Sequence, residues 1–186
     1  MRIVAGLAKG RRLAAPPGDA VRPTADRVRE ALFSSLQPRL LGAHVLDLYA
    51  GSGALGLEAA SRGAARVVLV ERDRRVLEVL RSNVAAVGLA GVEVVAGEVA
   101  AVLAGRGTPK LTAAPFDLVL ADPPYATPGE EVEAVLAALV DHLAADAEVV
   151  LERDRHAAAP RWPEGLEVRT PRRYGATVLH RARRLP

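Results

Sequence analysis

The chain has 186 residues, half of them hydrophobic, and this length suits one domain with a sizeable core. The absence of cysteine excludes disulfides, thiolate metal sites and a cysteine nucleophile, and four scattered histidines without ligand spacing predict no metal. The net charge of +3 is uneven, because residues 1–30 carry +4 and residues 161–186 carry +5, whereas residues 31–160 carry −6. Basic ends are typical of a protein that meets phosphates, although solvated tails give the same pattern.

No apolar stretch is long enough to cross a bilayer, and the one at the N-terminus is too short for a signal peptide. We therefore expect a soluble, cytoplasmic protein.

The first 36 residues predict a small extension followed by a helix. Residues 2–13, with Lys9-Gly10 at their centre, are typical of a short hairpin. Apolar residues at helical spacing predict a helix that has Thr24 as its N-cap and ends near Leu36. We accordingly expect an N-terminal hairpin extension over residues 1–20 and a single domain over residues 21–186.

From residue 44 onward, predicted strands and helices alternate. The strands are 44–50, 66–71, 92–96, 116–122, 147–152, 166–169 and 177–181, and the helices are 54–61, 74–87, a short one ending at 103, and 130–143. This order predicts an α/β fold of right-handed βαβ units, with a mostly parallel sheet covered by helices on both faces. Ligands of such sheets bind outside the carboxyl ends of the strands.

The first strand runs into a glycine-rich turn. Gly51 and Gly53 allow the backbone to approach a ligand, and they lead into a helix N-terminus whose N–H groups favour an anion. With Gly56 they satisfy the G-x-G-x-x-G pattern, which also fits a dinucleotide. Asp47 favours another ligand, because its carboxylate would repel a pyrophosphate and attract the ammonium group of an amino acid.

Two further acids follow the next two strands. Glu71 is placed to accept hydrogen bonds from ribose hydroxyls, and the alternative is a surface carboxylate paired with Arg72 or Arg74. Glu98 is placed to accept from an adenine amine while the N–H of Val99 donates to the ring. An equally good interpretation is that Glu98 begins a helix and stabilises its dipole.

The most specific motif is Asp122-Pro123-Pro124-Tyr125, at the end of the fourth strand. The two prolines fix a rigid, extended turn and remove two N–H donors, so that carbonyls and the Asp122 carboxylate remain as acceptors. Acceptors beside an aromatic ring fit a flat base, whose NH₂ group they hold while Tyr125 stacks on the ring. The alternative is a proline-rich loop with a packing tyrosine.

The exocyclic amine of a base is a poor nucleophile, because its lone pair is delocalised into the ring. Acceptors placed out of the base plane would draw the nitrogen toward tetrahedral geometry and free this lone pair. With an activated sulfonium as methyl donor, catalysis then needs mainly in-line positioning, which can contribute about 7–11 kcal/mol. A base inside a duplex must be flipped out to reach such a site.

With both motifs in place, the sequence resembles the class I, Rossmann-like S-adenosylmethionine-dependent methyltransferases. Within them it resembles the bacterial 16S ribosomal RNA methyltransferases that modify N2 of guanine 966. The residues that carry the resemblance are 2–6, 11–13, 22–30, 47–56, 122–125 and 174–177. The stretch Arg-Pro-Thr-Ala-Asp-Arg-Val-Arg-Glu over 22–30 narrows the family. The resemblance implies a seven-stranded, mostly parallel sheet with a final antiparallel strand.

The resemblance also implies a role for each site residue, with S-adenosylmethionine as the cofactor. Gly51 to Gly53 would hold its methionine part, Glu71 its ribose, and Glu98 with Val99 its adenine, although related enzymes often have Asp at position 98. The complete set of cofactor-binding candidates is Asp47, Ala50, Gly51, Ser52, Gly53, Glu71, Arg72, Glu98, Val99 and Thr24.

The catalytic candidates are Asp122, Pro123, Pro124 and Tyr125. Asp122 and the Pro123 carbonyl would hold the target amine, and Tyr125 would stack on the guanine. The RNA-binding candidates are Arg11, Arg12, Arg22, Arg27, Arg172 and Arg173. Arg22, Thr24 and Arg27 would close over the cofactor or contact RNA, and an exposed helix face with Arg/Glu pairs is the alternative.

The implied function is methyl transfer to a guanine N2 in 16S ribosomal RNA, by a monomer that acts on the RNA or on a small-subunit assembly intermediate. An adenine-N6 methyltransferase fits Asp-Pro-Pro-Tyr equally well, but the sequence shows no separate target-recognition domain, which we would expect a sequence-specific DNA enzyme to need. An NAD(P)-dependent oxidoreductase and a non-catalytic RNA-binding assembly factor are the alternatives from other classes.

Overall fold

A computed structural model describes residues 1–16, 23–106, 111 and 115–186, with the backbone alone for residues 23–27. Arg22 therefore lies outside the described residues, as do the side chains of Thr24 and Arg27. The elements are α1 (Pro23–Leu36), β1 (His44–Leu48), α2 (Ala54–Ser61), β2 (Arg66–Glu71), α3 (Arg74–Val87), β3 (Val92–Ala96), α4 (Val99–Leu103), β4 (Phe116–Ala121), α5 (Gly129–Leu139), β5 (Leu143–Asp154), β6 (Leu166–Tyr174) and β7 (Thr177–Arg184). Single 3-10 turns occupy Gln37–Arg39 and Val140–His142.

The seven strands form one sheet in the order β3-β2-β1-β4-β5-β7-β6. Strands β1 to β5 are parallel, and β7 lies antiparallel between β5 and β6. The predicted α/β fold, with a mostly parallel sheet and a final antiparallel strand, is confirmed. The chain adds β2 and β3 on one side of β1 and then returns to add β4 on the other side. The strand order therefore reverses between β1 and β4, and in open α/β sheets ligands bind at this topological switch point.

The core consists of two apolar layers, one on each face of the sheet. Alternate strand residues point to opposite faces, so Leu46 packs against α4 and α5 while its neighbour Val45 packs against α1, α2 and α3. Each layer contains one fully buried phenylalanine, Phe116 in the first and Phe33 in the second. The other buried side chains are mainly valine and leucine, as the scarcity of aromatic residues in the sequence predicts.

The predicted N-terminal hairpin is present as a short pairing around one antiparallel bridge between Arg2 and Arg12. The N–H of Ile3 donates to the Arg11 carbonyl at 2.9 Å, and the N–H of Gly10 donates to the Ile3 carbonyl at 2.9 Å. The segment is also bonded to α2. The N–H groups of Val4 and Ala5 donate to the buried carboxylate of Glu58, at 2.7 and 3.1 Å, and the N–H of Ala8 donates to Ser61 Oγ at 2.9 Å. Ile3, Ala8 and Leu13 then pack on α2 and α3. The division at residue 20 remains a prediction.

Several element boundaries differ from the predicted ones. Helix α5 ends at Leu139, before predicted residue 143, and the chain tightens into a 3-10 turn whose Val140 carbonyl accepts from Arg184 at 3.0 Å. Strand β5 is longer than predicted because it pairs with β7 as far as Asp154. Helix α1 begins at Pro23, a favoured first helical residue, which places Thr24 in its first turn and not at the N-cap.

Strand β6 forms one edge of the sheet, and residues 167–173 are exposed on both of its faces. It carries Arg169, Arg172 and Arg173, and its register with β7 shifts between Arg169 and Arg172, around Pro171. Among the helices of the described chain, none is both long enough and apolar enough to span a membrane.

Candidate active site

The two motifs singled out in the sequence lie side by side at the switch point. Strands β1 and β4 are neighbours with Leu48 opposite Ala121, and the N–H of Asp122 donates to the Leu48 carbonyl at 3.4 Å. Neighbouring strands are about 4.8 Å apart, so the glycine turn after β1 and the Asp-Pro-Pro-Tyr turn after β4 leave the sheet next to each other. The structure therefore brings the two candidate sites to one edge of the sheet.

The chain changes direction after β1 at Tyr49, a residue that the sequence pattern assigns only to the strand. Its φ of 61° is in the left-handed region, an uncommon and strained conformation for a bulky residue that concentrates at functional sites. The hydroxyl is buried and has no hydrogen-bond partner in the described part of the chain. Burial, with the nearby carboxylates of Glu131 and Glu98, raises the pKa of Tyr49 to about 12. Nothing in the local sequence signals this conformation.

The glycine turn is fixed by its own backbone and by Glu71. The N–H of Gly51 donates to Glu71 Oε2 at 3.0 Å, and the N–H of Gly53 donates to the Ala50 carbonyl at 2.7 Å. Gly53, with φ of 81°, directly precedes α2, and a Cβ there would lie 2.6 Å from Leu80 Cδ1. Gly53 is therefore required by packing within the protein.

Gly51 differs from Gly53 in what surrounds it. Its φ is 56°, and an added Cβ would meet only the Tyr49 carbonyl oxygen, at 3.9 Å. The backbone at Gly51 thus faces space that the protein itself does not fill, where a bound group can approach closely. This open face beside Glu71 fits the predicted site for the methionine and ribose parts of S-adenosylmethionine.

Glu71 is held in place by three backbone N–H groups. Besides Gly51, Arg72 and Asp73 donate to its Oε1 at 2.7 and 2.8 Å. A carboxylate offers about four acceptor positions, so one remains for a ribose hydroxyl. The Arg72 side chain is exposed beside this carboxylate.

Glu98 has the structural role that was the alternative interpretation of this residue. It is the N-cap of α4, and its two carboxylate oxygens accept from the N–H groups of Ala100 and Ala101 at 3.0 and 2.8 Å. The side chain is half-buried, and Val99 behind it is part of the core. A contact of Glu98 and Val99 with adenine remains a prediction.

Asp47 lies beneath the glycine turn with 1% of its surface exposed. Its Oδ2 accepts from the N–H of Gly56 at 2.8 Å, which ties β1 to the first turn of α2. A Cβ on Gly56 would lie 3.0 Å from this oxygen and 2.2 Å from Leu69 Cδ2, so the close approach requires glycine. Burial raises the pKa of Asp47 to about 7, against the effect of this hydrogen bond, and the charge of Glu71 adds to the rise. The predicted contact with an ammonium group remains untested.

In the Asp-Pro-Pro-Tyr turn, Pro123 is buried, whereas Asp122, Pro124 and Tyr125 are exposed, Tyr125 to 57%. The Pro124 carbonyl accepts from the N–H of Thr127 at 2.8 Å, which closes the turn. This carbonyl keeps a second lone pair, and the use of the turn's carbonyls and the Asp122 carboxylate as ligand-facing acceptors remains a prediction.

Arg153 stabilises the same turn, and nothing in its local sequence predicts this role. Its guanidinium is buried and donates to the Thr127 carbonyl at 3.2 Å. It comes from β5, the neighbour of β4, so only the sheet order reveals its place.

The basic candidates lie in two separate regions. Arg11 and Arg12 are exposed in the N-terminal segment, where Arg11 donates to the Ala86 carbonyl in the last turn of α3 at 2.6 Å. Arg172 and Arg173 are exposed near the end of β6, which runs parallel to β5 and ends at the same sheet edge as the two motifs. RNA binding by these arginines remains a prediction. No group of His, Cys, Asp and Glu fit to hold a metal occurs in the described ranges.

Comparison with known proteins identifies the family. The family model described as conserved hypothetical protein 95 matches residues 1–183. The chain is 44% identical over 125 residues to "Ribosomal RNA small subunit methyltransferase D" of Escherichia coli (strain K12), a match that covers 67% of this chain and 60% of that protein. The match thus spans less than two thirds of that relative.

Solved structures share the fold over most of the chain. "Putative methyltransferase yhhF" from Escherichia coli superposes with a TM-score of 0.85 and 35% identity, covering 100% of this chain and 98% of that one. The magnesium protoporphyrin IX methyltransferase of Synechocystis PCC 6803, solved with bound S-adenosylmethionine, gives a TM-score of 0.67 at 16% identity, covering 90% of this chain and 86% of that one. The fold is therefore that of S-adenosylmethionine-dependent methyltransferases.

Proposed function

The chain belongs to the conserved hypothetical protein 95 family, and from this premise we propose that it transfers a methyl group from S-adenosylmethionine to the exocyclic N2 of a guanine in small-subunit ribosomal RNA. The observation that carries the proposal is the pairing of β1 with β4, which sets an open glycine turn beside an acceptor-rich Asp-Pro-Pro-Tyr turn. The relative named for ribosomal RNA small subunit methylation supports the substrate.

The cofactor would lie along the ends of β1, β2 and β3. The backbone at Gly51 would contact its methionine part, Glu71 would accept from its ribose hydroxyls, and the N–H of Val99 would donate to its adenine ring. When bound, S-adenosylmethionine supplies a methyl group activated by a positively charged sulfur. The bond from Gly51 to Glu71 fixes the turn and the ribose acceptor relative to each other before binding, which reduces the entropy lost on binding.

The target base would lie at the end of β4. Asp122 and the Pro123 carbonyl accept the two hydrogens of the amine, which directs the nitrogen lone pair toward the methyl group, and Tyr125 stacks on the base. The carboxylate of Asp122 then takes the proton that the amine loses after transfer. The rigid turn, closed between Pro124 and Thr127, keeps the two acceptors aligned, and such positioning is the main source of rate in this reaction.

All of these groups come from one chain, so a monomer suffices. We further propose that the substrate is the RNA or a small-subunit assembly intermediate in the cytoplasm. The unpaired bases of a folded RNA can be turned outward, and one of them could then reach the turn after β4.

The test is to incubate the protein with labelled S-adenosylmethionine and small subunits that lack the modification, and then to identify the labelled nucleoside by mass spectrometry. N2-methylguanosine is the expected product, and small subunits that already carry the methyl group should accept no label. Label in N6-methyladenosine would replace the guanine assignment by the adenine one, and absence of any label would reject the methyltransferase proposal.

Arg172 and Arg173 provide a separate prediction about RNA binding. Replacing both by alanine should weaken RNA affinity and reduce the slope of log K against log[salt] by about 1 for each phosphate that the protein no longer neutralises. The matched control replaces Arg81 and Arg106, which are also exposed but lie away from this edge on α3 and after α4. Equal slopes for the parent protein and the Arg172/Arg173 variant would mean that these two arginines neutralise no phosphate.

A further inference from the structure

A buried asparagine outside both motifs joins the glycine turn to the N-terminal segment, residues 1–16. Asn83 of α3 is 3% exposed. Its Oδ1 accepts from the N–H of Ala14 at 2.8 Å, and its Nδ2 donates to the Ala14 carbonyl at 2.9 Å. The same Nδ2 donates to the Ser52 carbonyl at 2.9 Å. One side-chain amide thus uses both donor hydrogens and its acceptor, on two segments far apart in the sequence.

The Ser52 carbonyl belongs to the peptide unit at the centre of the glycine turn. The N–H of this unit, on Gly53, donates to the Ala50 carbonyl at 2.7 Å, while its oxygen is held by Asn83. The two bonds fix the plane of this peptide from opposite sides. This peptide joins Ser52 to Gly53, and Gly53 has a positive φ and lacks a Cβ atom, so its own conformational preferences restrain the peptide weakly. The side chain of Asn83 therefore supplies a restraint that Gly53 cannot.

We propose that Asn83 is a positioning residue for the cofactor: it holds the Ser52 peptide so that the glycine turn keeps its open face at Gly51, and it makes the N-terminal segment part of the support for the cofactor site. The inference rests on the proposed use of this turn to bind S-adenosylmethionine. The segment that carries Arg11 and Arg12 thereby contributes to cofactor binding through Ala14. Met1 extends the same contact, because its sulfur lies 3.7 Å from Ser52 Oγ.

The test compares two ways of loosening the N-terminal segment. Asn83→Ala removes the bonds to Ala14 and to Ser52. Ser61→Ala is the matched control, because Ser61 Oγ accepts from the N–H of Ala8 at 2.9 Å and donates to the Ala5 carbonyl at 2.6 Å, with no contact to the glycine turn. Each change removes two hydrogen bonds to the backbone of the segment, so both should lower thermal stability.

The measured quantities are the Kd of S-adenosylmethionine without RNA, by calorimetry, and kcat and KM with saturating RNA. For Asn83→Ala we expect Kd and KM for the cofactor to rise about tenfold while kcat changes less than about twofold, since only the cofactor turn is affected. For Ser61→Ala we expect Kd within about twofold of the parent protein.

Asn83→Asp is the second variant and serves if the alanine variant does not fold. It keeps the acceptor for the Ala14 N–H but places an oxygen against the carbonyls of Ser52 and Ala14. Cofactor affinity should therefore fall at least as far as in Asn83→Ala. Equal Kd values for the parent and the Asn83 variants, or equal losses in Asn83→Ala and Ser61→Ala, would overturn the inference. A parent protein that does not bind S-adenosylmethionine at all would instead reject the proposed function.

Discussion

Replacement of Asp122 by asparagine is expected to lower kcat for methyl transfer by about 10²- to 10³-fold, the usual cost of losing one group aimed at charge that develops in the transition state. The substitution keeps the shape of the side chain but puts an amide where a charged acceptor is needed. The amine then develops positive charge without a carboxylate beside it. The residue is exposed at the end of β4, so the fold should tolerate the change.

The measurement is single-turnover methyl transfer at saturating RNA, together with calorimetry of cofactor binding. The Kd of S-adenosylmethionine should stay within about twofold of the parent value, because the proposed cofactor residues lie at the ends of β1, β2 and β3. Asp154→Asn is the control, since Asp154 ends the neighbouring strand β5 and undergoes the same change of charge. If Asp122→Asn kept the full single-turnover rate, the catalytic assignment would be wrong.

Asp47→Asn is expected to raise the free energy of unfolding of the ligand-free protein by about 4 kcal/mol at pH 8, and by nothing at pH 3. The pKa of Asp47 is raised from 3.8 to about 7 in the folded chain. Between these values the unfolded chain releases this proton while the folded chain retains it, so the contribution of Asp47 to stability falls as the pH rises. Above pH 7 the folded chain carries a buried charge. Asparagine avoids this cost and still accepts from the Gly56 N–H.

Urea denaturation at intervals from pH 3 to pH 8 measures this difference, which should grow between about pH 4 and pH 7 and then remain constant. Asp141→Asn, at an exposed position, controls for the loss of one carboxylate. A constant difference between the parent and Asp47→Asn across this range would show that Asp47 does not titrate as its burial requires.

The sequence predicts the sheet and the carboxyl ends of β1 to β4 well, because both depend on local patterns, whereas β6 extends to Tyr174, past the predicted residue 169. Buried parallel strands appear as apolar runs such as 66–71, and caps such as Gly88 close helices within a few residues. The alternation of strands and helices, together with the rule that ligands bind at the carboxyl edge, predicts which strand ends lie next to each other. The pairing of the glycine turn with Asp122 was therefore predictable.

The contacts that support the site were not predictable, because each joins segments far apart in the chain. Glu58 accepts from the backbone N–H groups of residues 4 and 5 and so anchors the N-terminal segment on α2, yet in the sequence it is one acid within a helix. Asn83 and Arg153 are likewise ordinary polar residues of a helix and a strand. The left-handed backbone of Tyr49 has no local signal, since its conformation is imposed by the strand before it and the turn after it.

The outer strand β6 also governs how copies of the protein behave at high concentration. An edge strand offers a row of open backbone donors and acceptors to any other sheet, which is a common route to aggregation. Here Pro171 has no N–H to offer, the register shift breaks the row, and the arginines of two copies repel each other. The side chains proposed to attract a polyanion therefore also protect the protein from strand-to-strand association with itself.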